Sequence, residues 1–268
     1  MAIMGSYRGC VKAFDPNKPS IARVWDYWLG GKDNFAADRE LAEKMLEINP
    51  LAAQMARENR QFLGRAVTYT ATMGIRQFID IGAGLPTALN THDVAQRAAR
   101  DAKVAYVDND RMVISHAEAL LAKTSEVAVV PGDMRDPDAI LADPELTALI
   151  NLAEPACVLL SGVLHFLDAD TARKVANAFT RAIVPGSYVI ISVGTGQADV
   201  ARPFSAAYTA ADLYIHSPEE VMTFFDGLEM VPPGLVPARG WEGGAAAPQL
   251  APRQATFLAG VARCGPRP

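Results

Sequence analysis

The sequence predicts an α/β fold: a mostly parallel sheet covered by helices on both faces, preceded by a helical N-terminal cap. Three observations carry this. From residue 76 onward, short β-branched apolar runs alternate with amphipathic helical patterns, the signature of a parallel sheet covered on both faces. Before residue 75 only helical periodicity is present. After residue 227 two apolar runs follow each other across a Gly/Ala/Pro-rich loop, so the sheet should close with a hairpin-like, antiparallel pair.

Residues 1–19 are polar, contain Pro16 and Pro19, and read as a loose arm. Ser20 then offers an N-cap. Ile21, Val24, Trp25, Trp28 and Leu29 form one apolar helical face, and Gly30-Gly31-Lys32 ends it. A second helix is expected over Ala36–Ile48, stopped by Asn49-Pro50. A third spans about 51–73, with Met55, Phe62, Ala66, Tyr69 and Met73 on one side. The strand runs are 76–81, 103–108, 126–131, 156–161 and 187–193, separated by roughly the length of a crossover helix with its loops. Between them, Val113, Ala117, Leu120 and Leu121 form one helical stripe, and Ala172, Val175, Ala176, Phe179 and Ile183 another. Asp168 is placed to cap the latter helix. Ser217-Pro218-Glu219-Glu220 is a capping box with proline at the first helical position, and 227–236 and 254–262 read as the closing strands. The expected organisation is an arm and helical cap over 1–74 and a sheet domain over 75–268, with a helical insertion near 197–226.

Bulk properties narrow the function. Hydrophobic residues at 50% and charged residues at 21% describe an ordinary globular chain. The formal net charge of −5 argues against DNA or RNA as a partner, since phosphate affinity rests on Lys and Arg. The three cysteines are far apart and lack Cys-x-x-Cys spacing, as suits reduced thiols rather than a disulfide framework or a zinc site. No signal peptide or membrane-spanning run is evident, so the chain is expected to be cytoplasmic, with neither metal nor membrane partner.

In open parallel sheets, ligands bind at the carboxyl ends of the strands, and each of those ends carries a marker. The first gives Asp80-x-Gly82-Ala83-Gly84, the second Asp108-Asn109, the third Gly132-Asp133-Met134, the fourth Ser161-Gly162 with His165 behind. Asp108 suits a ribose, whose hydroxyls a carboxylate can accept from, in a nicotinamide dinucleotide or a sulfonium nucleoside alike. Two features separate these. A pyrophosphate wants a helix N-terminus directly after the glycines, whereas Pro86, Thr87, Asn90 and Thr91 draw the loop out, and the helix should begin only near His92. Asp80 would repel a phosphate but welcome the ammonium of a methionine moiety. Asp133 and the Met134 N–H can read an adenine edge. On the first helix, Arg23, Asp26 and Tyr27 lie opposite the tryptophans. With Asn34 they are placed to reach over the cofactor, while Trp25 and Trp28 read as packing. His165, beside the reacting end, is either a wall residue or a general base, and Tyr214 and His216 lie in a segment able to cover the acceptor.

Asp80-Ile-Gly82-Ala-Gly84, Val107-Asp108, Gly132-Asp133 and Val163-Leu164-His165-Phe166 resemble the successive motifs of class I S-adenosylmethionine-dependent methyltransferases. The stretch 20–40, "SIARVWDYWLGGKDNFAADRE", followed by "FIDIGAGLPT" and "YVDND", is similar to an actinobacterial S-adenosyl methyltransferase family formerly catalogued as a domain of unknown function. The resemblance implies a Rossmann-like class I methyltransferase sheet, bound S-adenosyl-L-methionine and the helical cap. Leu85-Pro86 departs from the third glycine many class I members have. The activity implied is methyl transfer to a small-molecule nucleophile. The alternatives are a non-catalytic S-adenosylmethionine sensor and an NAD(P)-dependent oxidoreductase. The acceptor and the oligomeric state are not legible.

Overall fold

The computed structural model of the chain describes residues 14–87, 89–247, 249–251, 253 and 255–266. The arm expected over 1–19 therefore falls partly outside the described residues, as do Cys10 and Gln254. Three helices open the chain: α1 (Ile21–Leu29), α2 (Ala36–Ile48) and α3 (Ala52–Thr72). Strands and helices then alternate: β1 (Gln77–Ile81), α4 (Thr91–Ala98), β2 (Lys103–Asp108), α5 (Arg111–Leu120), β3 (Val127–Pro131), α6 (Pro137–Leu141), α7 (Pro144–Leu149), β4 (Cys157–Ser161), α8 (Ala169–Ala182) and β5 (Tyr188–Gly196). The chain ends with α9 (Ala198–Ala207), α10 (Pro218–Thr223), β6 (Glu229–Met230), β7 (Val236–Pro237) and β8 (Ala255–Arg263).

The sheet order is β3-β2-β1-β4-β5-β8-β6, with β7 also on β8. The first five strands pair in parallel, and β8 runs antiparallel against β5 from Tyr188↔Arg263 to Gly196↔Ala255. The expected fold class is the one observed. Order reverses between β1 and β4, which puts a crevice at their carboxyl ends. Two apolar layers cover the sheet. One packs α3 and α4 on Phe78, Leu159 and Ile190; the other packs α8 and α10 on Ile79, Val158 and Ile191. Strand residues are buried on both faces, which is why β1, β2 and β4 read as continuous apolar runs.

Several local expectations change. The closing run 227–236 is not one strand: Pro232 and Pro233 have no N–H for a ladder and Gly234 turns back with φ +86°, leaving β6 and β7 as stubs on β8. Met73 and Leu120, placed on apolar stripes by periodicity, are exposed: Met73 is the C-cap beyond α3, and at the end of α5 it is the next residue, Leu121, that turns into the core. Ser20 stands at the N-cap of α1 without capping it; its hydroxyl donates to Asp110 instead. The capping box at Ser217 and the Asp168 cap form as expected. Among the described residues no helix is long and apolar enough to cross a membrane.

The cap is held by one carboxylate. Asp38, in the first turn of α2, accepts from Arg23 Nε and Phe35 N on one oxygen and from Ser20 N on the other, all within 2.9 Å. The Arg23 guanidinium also donates to the carbonyls of Asp15 and Lys18 and lies over the rings of Phe14 and Phe35. Both members of the ion pair are buried. Removing one partner strands the other without compensation. Asp38→Ala is therefore expected to lower unfolding free energy by about 3–5 kcal/mol in chemical denaturation; a loss below about 1 kcal/mol would mean the pair is dispensable.

Candidate functional site

A cavity of about 450 Å³ lies at the carboxyl ends of β1 to β4. Residues 14–26 roof it, Asn59, Arg60 and Leu63 of α3 form one side, and Ala210–Asp212 of the insertion close the far end. Asp80, Gly82, Ala83, Gly84, Asp108, Asn109, Asp133, Met134, Ser161 and Gly162 all line it.

The glycine loop takes its shape from the strands around it. Gly82 N and Ala83 N donate to the Val107 carbonyl, folding the chain back over β2. Gly82 adopts φ +70°, and a Cβ there would stand 2.5 Å from Val163 Cγ1, so close approach and left-handed backbone both demand glycine. Gly84 N then donates to Asp108 Oδ2. The drawn-out segment ends at α4, which starts at Thr91, close to the expected His92. Thr91 Oγ1 donates to Asp80 at 2.6 Å. Asp80 thus ties the start of α4 to β1 while lining the cavity.

The charges of the site are costly to bury and individually managed. Asp108 accepts from Gly84 N and Asp110 N, yet burial outweighs these bonds and raises its carboxyl to about 6. Burial likewise raises Asp80, with the Thr91 bond and Arg60 opposing. Burial pulls the Arg60 guanidinium down, with Asp80 and Tyr106 opposing. Asp133 goes the other way. Burial would raise it, but the Arg135 and Asn109 bonds together hold it near 2.

Three sequence-predicted residues lie outside this cavity. Tyr27 turns its hydroxyl to Glu43 on α2, since its position on α1 faces the neighbouring helix. Asn34 donates to Asp26 Oδ2 and to the Gly31 carbonyl; it shapes the roof instead of lining it. His165 faces a separate, smaller chamber. Arg23 is consumed by Asp38. Asp26 does line the cavity, its Oδ2 taking Asp33 N and Asn34, and burial raises its carboxyl against those bonds. The loop closes so tightly on it that a Cβ on Gly31 would sit 1.9 Å from Asp26 Oδ1. Trp28 packs in the cap core, whereas Trp25 reaches the cavity. His216 is buried against Phe224, and half-exposed Tyr214 lines the smaller chamber.

Sequence reading missed Asn59 and Arg60. Asn59 is buried, donates to Ser161 Oγ, and leaves Oδ1 without a partner. It falls on the same helical stripe as Met55 and Phe62, so a polar residue on an apolar face was the available signal. Arg60 is half-buried and has no hydrogen-bond partner among the described residues; nothing local marks it. These groups suit a sulfonium nucleoside bearing an amino acid: acids at Asp80 and Asp108 for its donors and positive charge, a free guanidinium for its carboxylate.

A profile of the S-adenosyl methyltransferase family matches residues 9–265. A candidate methyltransferase from Thermobifida fusca is 39% identical, with TM-score 0.85 over 93% of this chain and 96% of that one. A DUF574-family protein from Streptomyces avermitilis is 35% identical, with TM-score 0.85 over 93% and 99%. Magnesium protoporphyrin IX methyltransferase from Synechocystis, solved with bound S-adenosylhomocysteine, shares the fold at 12% identity and TM-score 0.52, over 90% and 93%. No curated protein matches the sequence.

The raised carboxyl of Asp108 sets a pH dependence. With its folded value at about 6 above the ordinary 3.9, its contribution to stability is full below pH 4 and is lost as pH rises through 6. Asp108→Asn escapes that loss. Relative to wild type, its stability should improve by up to about 3 kcal/mol between pH 4 and pH 8. Parallel denaturant titrations at the two pH values check this, and an unchanged difference would contradict the assignment.

Proposed function

The chain belongs to the S-adenosyl methyltransferase family, and from that premise we propose that it transfers a methyl group from S-adenosylmethionine to a small-molecule nucleophile. The observation that carries the site assignment is Asp108, a buried carboxylate held at the end of β2 by Gly84 N and Asp110 N. Beside it runs a glycine loop with no helix N-terminus to receive a phosphate.

Asp108 would accept from the ribose hydroxyls of the cofactor. Asp80 would face its ammonium and Arg60 its carboxylate, so the amino-acid end is gripped from β1 and α3. Met134 and Asp133 would border the adenine. Because both Asp133 oxygens are already bonded to Arg135 or Asn109, Asp133 would share an oxygen with a base amine rather than offer a free one. When bound, S-adenosylmethionine supplies an electrophilic methyl on a positively charged sulfur. What remains for the chain is to hold the nucleophile in line and exclude water. Trp25 and Phe166 provide an apolar wall for that purpose, and Ala210 and Ala211 close the end. Asp26, Asp80 and Asp108 keep the interior acidic, which favours a cationic sulfur over a polyanionic ligand. With a net charge of −5, the same logic speaks for a small molecule rather than a nucleic acid as acceptor.

Calorimetric titration tests this. Wild type should bind S-adenosylmethionine and S-adenosylhomocysteine but not NAD. Asp108→Ala should weaken both by about a hundredfold, the loss of two hydrogen bonds to a charged group, and Arg60→Leu should weaken both by about tenfold or more. Tight binding of NAD alone would overturn the reading.

A further inference from the structure

A second chamber of about 70 Å³ lies behind Trp25 and Phe166, the two side chains that line both it and the larger cavity. Its walls are apolar: Trp28 and Met55 from the cap, Ala201 and Phe204 from α9, and Phe257 from β8. No Asp, Glu, Lys or Arg lines it among the described residues. A charged group placed there would be desolvated without a counter-ion.

His165 and Tyr208, whose hydroxyl is buried without a partner among the described residues, are the chamber's chemical features. The His165 side chain is buried, at 4% exposure, between Phe166 and Phe257. Nδ1 faces the Gly194 backbone N–H at 3.3 Å and can only accept from it. A neutral imidazole that accepts at Nδ1 carries its proton on Nε2. Burial first, and His216 second, hold the ring's pKa down to about 3, which keeps that neutral tautomer. Among the described residues Nε2–H meets no acceptor. Acting as a base at Nε2 would require removing the proton already there, so His165 is a donor. A donor on an otherwise dry wall, beside a Tyr208 hydroxyl that is buried without a partner, asks for a ligand atom.

The geometry points to this chamber as a recognition subsite for the methyl acceptor. It takes an uncharged apolar arm bearing one oxygen, of a ketone, ester or ether, that accepts from His165 Nε2–H. The reacting atom of the acceptor then lies across the Trp25–Phe166 partition, in the larger cavity. Trp25 and Phe166 sort the two ends of one substrate: a nucleophile on the acidic side, an oxygen-bearing apolar group on the dry side. The inference rests on the methyl-transfer reading and narrows its acceptor class.

Cyclopentanone and cyclopentane, equal in ring size and differing by the carbonyl oxygen, serve as probes on protein saturated with S-adenosylhomocysteine. Indole N–H signals of the three tryptophans report where they bind. Cyclopentanone should shift Trp25 and Trp28 but not Trp241, and should bind about fivefold more tightly than cyclopentane. His165→Phe should erase that preference, and His165→Gln, which keeps a donor, should retain it. Ala201→Leu, which fills the chamber, should weaken both probes roughly tenfold or more. S-adenosylhomocysteine affinity should stay within about twofold in Ala201→Leu. A preference that survives His165→Phe, shifts confined to Trp241, or indifference to Ala201→Leu would overturn the inference. Should S-adenosylhomocysteine fail to bind wild type, the cofactor reading itself falls. Should it bind while cyclopentanone moves neither Trp25 nor Trp28, only the chamber assignment falls.

Discussion

The buried carboxylate of Asp38 is the constraint on which the architecture of the site rests. Its oxygens gather Arg23, Ser20 and Phe35, and through Arg23 the carbonyls of Asp15 and Lys18. Three segments without a strand among them are thereby made into one roof. Such an ion pair adds little net stability over a well-packed apolar substitute, but it specifies an arrangement. Here the arrangement sets Trp25 and Asp26 over the strand ends. Ser20 completes it by donating to Asp110, whose other oxygen caps α5. The cap is fastened directly to the loop that follows Asp108.

Beneath that roof the fold spends stability to keep acids in place. Asp80 and Asp108 are both raised by burial, so the ligand-free chain carries a cost that a cationic, hydroxyl-bearing ligand would relieve. Sites that break a local rule in this way are expected where function is located. Asp133 shows the contrast. Fully bonded to Arg135 and Asn109, it is held near 2, and its charge is already met by the chain itself. Fold likeness alone does not carry this distinction. The Synechocystis enzyme shares the fold at 12% identity, while the walls of the cavity here come from the cap and from Ala210–Asp212.

Two adjoining spaces with opposite character follow from which face of each element the sheet leaves uncovered. β1 to β4 end in glycines and acids and make a polar floor; the extended end of β5 and its partner β8 bring Gly194, Thr195 and Phe257 together and make an apolar one. Trp25 and Phe166 stand on the boundary. Neither residue would be singled out from one floor alone.

The α/β class, the strand ends, the glycine loop and the acids on it were legible in the chain, because each depends on neighbours a few residues away: apolar period, turn chemistry, a carboxylate following a strand. The long loop before Thr91 and the caps at Asp168 and Ser217 belong to the same category. Orientation was not legible. Tyr27 and Asn34 have the right chemistry on the right helix, yet α2 and Asp26 claim them. His165 follows the right strand, yet its Nδ1 accepts from Gly194 and its ring lines the smaller chamber instead of the larger cavity. Arg60 carries no local mark at all and enters the cavity because α3 packs on β4 and its neighbours. Short-range sequence determined which groups stand at the edge of the sheet. Long-range packing alone decided which of them face the cavity, because a side chain's partners across 15 to 100 residues are set by how helices dock, not by the residues beside it.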